Sequence, residues 1–185
     1  MAVVVVGGSG RSAGKTALVC GLIAALPEFA WTAVKISSHE HGKRELVWEE
    51  REAGTGTDTA RYLAWGARRA LLMTTDDEGL ALRVRELEGM LGPGAHVIYE
   101  SNRIVEHVRA DVCLAVIVDT ETAPKASFRV VLEHADAMVA RGEADSVSEG
   151  AKPVFHLAAM ERVSAEMQIW LRERLGCDQG RTMNA

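Results

Sequence analysis

Gly14, Lys15 and Thr16 are the residues with the clearest chemistry, and they close the glycine-rich segment VVVVGGSGRSAGKTALV. Glycines let the backbone bend so that its N–H groups converge on an anion, and the N-terminus of a following helix adds a positive dipole end. A strand, a glycine-rich turn, Gly-Lys-Thr and a helix in this order predict a phosphate-binding P-loop. Lys15 is then expected to reach the β- and γ-phosphates of a nucleotide, and the Thr16 hydroxyl to bind Mg²⁺.

The segment departs at one position from the pattern G-x-x-x-x-G-K-[ST], since Ser9 stands where the first glycine is expected. Gly7, Gly8 and Gly10 surround it and can supply the bend. Arg11 is either a phosphate ligand or a solvated loop residue. The predicted nucleotide-binding residues are Ser9, Gly10, Arg11, Ser12, Ala13, Gly14, Lys15, Thr16 and Ala17.

Acidic residues follow two apolar runs that read as buried strands. Glu100 comes directly after HVIY, and Asp119 comes after LAVIV. P-loop enzymes use a carboxylate at a strand end to hold magnesium or its water, and parallel strands present their carboxyl ends to the ligand crevice. We favour Glu100, because Ser101 and Asn102 continue it into a polar loop; Asp119 is the alternative.

Asp58, in the segment TGTDTARY, is a third acidic candidate. It either orients magnesium or a nucleophilic water, or it acts as a helix N-cap. With it, the predicted catalytic residues are Lys15, Glu100 and Asp58, and the predicted magnesium ligands are Thr16, Glu100 and Asp58.

Apolar runs alternate with helix-like segments along the whole chain, which predicts a mainly parallel sheet covered by helices on both faces. We expect a single domain over residues 1–185 with a three-layer α/β/α P-loop NTPase fold. The expected strands cover residues 3–6, 31–36, 69–73, 97–99, 112–118, 137–139 and 154–157. The expected helices cover residues 16–26, 58–65, 76–91, 127–134 and 161–175, with a short helical piece at 104–108.

Residues 38–57 are polar and charged and interrupt this alternation. Long loops inside compact domains are usually functional or disordered, so we predict a mobile loop or lid here. His39 and His41 lie in it, but a pair of histidines without a third ligand nearby is weak evidence for zinc. A solvated polar loop is the preferred interpretation of these two histidines.

Composition bounds the remaining function classes. The 185 residues carry a net charge of −5, which argues against a general nucleic-acid binder. Three distant cysteines favour a reducing cytoplasm over a disulfide framework. No stretch approaches the roughly 18 apolar residues of a membrane span. We therefore expect a cytoplasmic protein whose partner is a nucleoside triphosphate, without membrane or nucleic-acid partners.

Three segments of the sequence resemble a known family, the molybdopterin-guanine dinucleotide biosynthesis protein B family. These segments are SGRSAGKTALV, WTAVKISSHEHGK and REAGTGTDTARYLAWGARRALLM, within roughly the first 75 residues. Ser9 and Ile36 depart from the family pattern, in which a glycine and often a histidine stand at these positions. The resemblance implies GTP binding, weak hydrolysis, a homodimer and a role in assisting cofactor assembly.

Three functions remain open from the sequence. The first is a magnesium-dependent nucleoside triphosphatase that serves cofactor biosynthesis. The second is an ATP-dependent small-molecule kinase or ligase, with a second substrate between Lys35, Glu100 and Asn102. The third is a non-enzymatic module that closes on a partner protein when nucleotide binds. GTP and ATP both remain open, because no N-K-x-D motif follows the late strand and Glu143 is more typical of a surface acid.

Overall fold

The structure is a computed structural model, and it describes residues 1–10, 12–38, 46–118, 125–141, 152–157 and 162–176. In these ranges the chain forms one eight-stranded sheet and five α-helices. The strands are β1 (Val3–Gly8), β2 (Thr32–Ser38), β3 (Leu46–Glu49), β4 (Arg69–Thr75), β5 (Val97–Glu100), β6 (Val112–Val118), β7 (Ala137–Arg141) and β8 (Val154–His156). The helices are α1 (Lys15–Ala25), α2 (Asp58–Ala64), α3 (Leu80–Leu91), α4 (Ala126–His134) and α5 (Ala165–Arg174).

The strands are ordered β3-β4-β2-β5-β1-β6-β7-β8 across the sheet. All neighbouring strands are parallel except β3, which runs antiparallel to β4. Strand β5 lies between β2 and β1, and Glu100 is in register with both Lys35 and Val6. The carboxyl ends of three strands that are distant in sequence therefore meet at one edge of the sheet.

Helices cover both faces of the sheet, as two separate apolar clusters show. On one face, buried side chains of α1, α2 and α5 pack against the sheet, among them Leu18, Tyr62 and Leu171. On the other face, α3 and α4 contribute side chains such as Leu87 and Val131. Continuous burial of β1 agrees with a central parallel strand that is covered twice. The predicted three-layer α/β/α fold with a mainly parallel sheet is confirmed.

The region predicted as one long loop contains an edge strand. Residues Leu46–Glu49 form β3, and the side chain of Arg69 in β4 donates to Glu49 at 2.9 Å. Glu50 then accepts hydrogen bonds from Thr57 and Thr59, which ties the following segment to the start of α2. The loop prediction is therefore wrong for residues 46–49. Its sequence, LVWE, is too short and too closely flanked by charges to reveal a strand by periodicity. Residues 39–45, with His39 and His41, lie outside the described ranges.

Two smaller expectations were also wrong. The helix predicted from Asp76 begins at Leu80, because the Asp76 carboxylate accepts a hydrogen bond from the Gly79 N–H at 2.7 Å and stabilises a turn instead. The helical piece predicted at 104–108 is a series of turns.

Within the described part of the chain, none of the helices has both the length and the apolar composition needed to cross a bilayer.

Candidate functional site

The loop between β1 and α1 has the backbone geometry of an anion cradle. Gly14 lies in the left-handed region with φ +101° and ψ +13°, where any side chain would be strained, and Ser12 also has a positive φ of +63°. Helix α1 begins immediately after Gly14, with no side-chain cap and no acidic residue in its first turn. Gly14 has no side chain that could cap the helix, so the N-terminal end of α1 suits a phosphate ligand.

Asn102 and β6 anchor the start of this loop to the sheet. The Asn102 side chain accepts from the Gly8 N–H at 2.7 Å and donates to the Gly8 carbonyl at 3.0 Å. The Ser9 N–H donates to the Val116 carbonyl at 3.0 Å. Ser9 thus uses its amide to hold the loop, and its buried hydroxyl has no hydrogen-bond partner among the described residues. The amides left for a phosphate start beyond Ser9.

Lys15 folds back along the loop. Its Nζ donates to the Gly10 carbonyl at 2.9 Å. A Cβ on Gly8 would lie 2.8 Å from the Lys15 Cγ, so glycine at that position gives the lysine its path. Burial lowers the pKa of Lys15, the negative charge of Glu100 opposes this effect, and the positive charge of Lys35 adds to it. A phosphate oxygen in place of the Gly10 carbonyl would give the ammonium an anionic partner.

Glu100 is the buried acid of the site, with 2% of its surface exposed. Its carboxylate accepts hydrogen bonds from the Thr16 hydroxyl at 2.9 Å, from the Tyr62 hydroxyl and from the Lys35 ammonium. Burial raises the pKa of Tyr62 well above its ordinary value, and the negative charge of Glu100 adds to this shift. The neutral phenol therefore persists as a donor to the carboxylate. Glu100 therefore lies beside Thr16 of the P-loop, where an acid that holds magnesium is expected.

Asp58 faces the same group of side chains from α2. Its Oδ2 lies 3.0 Å from the Lys35 Nζ, and its Oδ1 lies 3.9 Å from the Arg61 Nη1. Thr57 is the N-cap of α2, since its hydroxyl accepts from the Ala60 N–H at 3.0 Å. The alternative interpretation of Asp58 as the cap is therefore wrong, and its carboxylate points toward the site.

Lys35 bridges the two carboxylates. Burial by itself lowers the pKa of this lysine, but the charge and hydrogen bond of Glu100, followed by those of Asp58, outweigh burial and raise it. Lys35 is therefore a fixed positive charge at neutral pH. On sequence grounds Lys35 is expected beside a possible second substrate, and the structure places it between two carboxylates.

These side chains surround a cleft of about 480 Å³. Its lining residues are Ser12, Ala13, Gly14, Lys15, Thr16, Ala17, Lys35, Asp58, Arg61 and Glu100. Strand, glycine-rich loop and helix stand in the order of a P-loop at the carboxyl edge of a parallel sheet. The fold is a three-layer α/β/α fold with a P-loop after its first strand. Ser9 and Gly10 do not line the cleft, while Arg11 and Asp119 lie outside the described residues, so the alternative acid is untested.

Sequence reasoning did not identify Tyr62 and Arg61 as site residues. Both lie within one helical turn of Asp58, and Arg61 is three residues beyond it, so it shares a helix face with Asp58. That spacing was the available signal. It becomes informative only once α2 is known to pack beside the P-loop helix.

The donor set of this cleft fits magnesium. A threonine hydroxyl and the carboxylates of Glu100 and Asp58 are hard oxygen ligands within one small cleft. Magnesium typically keeps several waters and takes one or two protein carboxylates together with phosphate oxygens. Thr16, Glu100 and Asp58 are therefore the side chains that would hold the ion or its waters.

No protein-family model matches this chain, and no curated protein matches it in sequence. Solved structures that are similar to it include the following two. A MobB protein homologue from Bacillus stearothermophilus has 18% sequence identity and a TM-score of 0.47, with 96% of this chain and 100% of that chain covered. LpxK from Aquifex aeolicus, crystallised in complex with ATP, has 16% identity and a TM-score of 0.49, with 84% of this chain covered. This chain spans 53% of that LpxK chain.

At these levels of identity both comparisons concern the fold. The chemistry of the site is therefore inferred from its own residues.

Proposed function

We propose that this chain binds a nucleoside triphosphate with magnesium and hydrolyses it. The observation that carries the proposal is the 2.9 Å hydrogen bond from the Thr16 hydroxyl to the buried Glu100 carboxylate. This bond places a P-loop hydroxyl and a strand-end acid at one point, beside an uncapped helix N-terminus and Lys15. Phosphoryl transfer depends mainly on such positioning and charge stabilisation.

Each residue has a defined task in this reaction. The amides at the start of α1 and the Lys15 ammonium hold the β- and γ-phosphates, and Thr16 and Glu100 hold the metal side of the site. Asp58 orients the attacking water. The water oxygen forms a bond to the γ-phosphorus while the bond to the β–γ bridging oxygen breaks. That oxygen leaves with the electron pair on the nucleoside diphosphate, and the proton of the water leaves with inorganic phosphate or solvent. Magnesium, when bound, supplies charge neutralisation on the β- and γ-oxygens.

We favour hydrolysis over phosphoryl transfer to a second substrate, because the side chains expected to bind that substrate already have partners within the protein. Asn102 is occupied on both sides by Gly8, and Lys35 is held by Glu100 and Asp58. An acceptor placed between Lys35, Glu100 and Asn102 would have to break these contacts. A kinase or ligase would be recognised by a phosphorylated product in place of free phosphate when candidate acceptors are added.

We further propose that the nucleotide is GTP and that its hydrolysis assists cofactor biosynthesis. Support comes from the resemblance of the first part of the sequence to the molybdopterin-guanine dinucleotide biosynthesis protein B family. That resemblance also supports a homodimer, and the three distant cysteines of the sequence support a cytoplasmic location. In this role the nucleotide-bound form of the chain would bind a partner protein.

Calorimetric titration with ATP and with GTP, each with and without magnesium, tests binding and base preference together. A single-turnover assay for free phosphate then tests hydrolysis. Lys15→Met should abolish turnover while leaving the unfolding transition in place, because it removes the charge that stabilises the transferred phosphoryl group. Undiminished hydrolysis by this variant would exclude the assigned site. Tight nucleotide binding without any single-turnover hydrolysis would identify a non-enzymatic binding module instead.

A further inference from the structure

Arg61 contributes a third cation to the cleft, from a different element than the P-loop. Lys15 comes from α1, Lys35 from β2 and Arg61 from α2, and all three line the same space. Among the described residues that line the cleft, these three cations stand beside two carboxylates, Asp58 and Glu100. Such a balance suits the multiply charged end of a nucleoside triphosphate.

Helix α2 is held firmly against the site, which fixes where the Arg61 side chain begins. The Thr57 cap closes its first turn, and the buried Tyr62 hydroxyl bonds to Glu100. Arg61 is adjacent to Tyr62 in sequence, and 29% of its side chain is exposed. Its guanidinium reaches from a fixed helix into the cleft, in contrast to an arginine on a free loop.

Arg61 lies farther from the Asp58 carboxylate than Lys35 does. Nη1 lies 3.9 Å from Oδ1, whereas Lys35 approaches the other oxygen of the same carboxylate to 3.0 Å. Lys35 is therefore the principal partner of Asp58. A guanidinium presents several donors in a planar fork that matches phosphate oxygens, so Arg61 is well suited to a phosphoryl group in the cleft.

We propose that Arg61 is a catalytic residue that donates hydrogen bonds to the γ-phosphoryl oxygens as the bond to the bridging oxygen breaks. The proposal rests on the proposed triphosphatase function and deepens it. The chain then supplies its own arginine for the transition state, and basal hydrolysis needs no arginine from a partner protein. Lys15 holds the phosphates from α1, and Arg61 stabilises the developing charge from α2.

The test compares Arg61→Met and Arg61→Lys with Arg85→Met, which removes an exposed arginine on α3. We expect Arg61→Met to lower the single-turnover rate about 1,000-fold, as for other catalytic arginines in phosphoryl transfer. Its affinity for the nucleotide should change by less than about tenfold, because the interaction is made mainly in the transition state. Arg61→Lys keeps the charge without the fork and should fall between. Arg85→Met should match the wild-type chain.

A second readout uses the nucleoside diphosphate with aluminium fluoride, which mimics the transferring phosphoryl group. Arg61→Met should lose affinity for this complex by the same factor as the rate, with unchanged affinity for the diphosphate alone. The unfolding midpoint of every variant is measured first. If Arg61→Met does not fold, the same two measurements are made on Arg61→Lys.

Several outcomes would overturn the assignment. One is a rate for Arg61→Met within about threefold of the wild type, since such a change removes little transition-state stabilisation. Another is an equal loss of nucleotide affinity and of single-turnover rate in Arg61→Met, because this result would mean that Arg61 stabilises the bound nucleotide and the transition state equally. A third is that Arg61→Met no longer lowers the single-turnover rate when Asp58 is already replaced by asparagine. Arg61 would then act by positioning Asp58. A wild-type chain that binds nucleotide without hydrolysing it would overturn the triphosphatase proposal along with this one.

Discussion

The hydroxyl of Thr16 donates a hydrogen bond of 2.9 Å to the carboxylate of Glu100 across 84 residues of sequence. The contact joins the first turn of α1 to the carboxyl end of β5. Because Glu100 is buried and also accepts from Tyr62 and Lys35, its carboxylate is held at a defined place beside the loop. This relationship makes the acid a partner of the phosphate cradle and leads to the following predictions.

Glu100→Gln should uncouple magnesium from nucleotide binding. The amide keeps the size of the side chain but loses the negative charge that a divalent cation requires. We expect the gain in nucleotide affinity on adding magnesium to fall about 10- to 100-fold, in the range found for groups that support metal ligands. Titration with and without magnesium measures this gain. Glu88→Gln, on the opposite face of the sheet, is the control, and an unchanged magnesium dependence in Glu100→Gln would contradict the assignment.

Lys35→Met should make the nucleotide-free protein depend on divalent cations for stability. The substitution leaves the carboxylates of Glu100 and Asp58 facing each other without the ammonium between them. Removing one partner of a largely buried ion pair costs about 3 kcal/mol. Magnesium or manganese should restore part of this loss in urea unfolding without nucleotide. Lys125→Met, at an exposed position, should show no such rescue, and equal cation effects in both variants would rule out the idea.

Asn102→Ala should loosen the start of the P-loop. It removes the two hydrogen bonds to the Gly8 backbone, at 2.7 and 3.0 Å. We expect a loss of about 1–2 kcal/mol in the free energy of unfolding, from groups left without partners. We also expect about a tenfold weaker nucleotide affinity, because small displacements of positioning groups are costly. Ser127→Ala removes only a 3.5 Å contact with Asn102 and should change neither quantity. Equal behaviour of the two variants would refute the anchoring role.

The tyrosines should resist ionisation in the folded protein. The chain has two, Tyr62 and Tyr99. Burial raises the pKa of Tyr62 well above 10.0, with Glu100 adding to the shift, and burial raises that of Tyr99 to about 12, with Glu88 adding. At pH 10 the native protein should therefore show little phenolate absorbance, whereas the urea-unfolded chain should be about half ionised.

The same shifts set the sign of the stability change. Well below pH 10 both folded and unfolded states keep their phenol protons, so the tyrosines contribute no pH dependence there. Above it the unfolded chain releases protons that the folded state retains, so stability falls as the pH rises toward the folded-state pKa values. Tyr99→Phe leaves the titration of Tyr62 to be followed separately. A native ionisation step near pH 10 in that variant would show that Tyr62 is not the buried donor described.

Much of the fold was accessible from local patterns. Val3–Gly8 is a continuous apolar and glycine run, and Lys15–Ala25 follows it after a short loop, so strand, loop and helix are contiguous in the chain. Contiguous segments carry their geometry in their own residue types, which is why the P-loop was predicted correctly in outline. The edge strand Leu46–Glu49 was missed, because its pairing with β4 arises from tertiary contacts that four residues of sequence do not reveal.

The sequence by itself determined the alternation of strands and helices, the Gly14-Lys15-Thr16 turn and the strand-end position of Glu100. The tertiary structure decided what surrounds that acid. Parallel pairing places β5 between β2 and β1, and this order brings Lys35 into register with Glu100 although 65 residues separate them. Packing of α2 then adds Tyr62 and Arg61. The chemistry of each side chain is a property of its own residue. The distances between these side chains depend on strand order and helix packing, and these are established only when the whole chain folds.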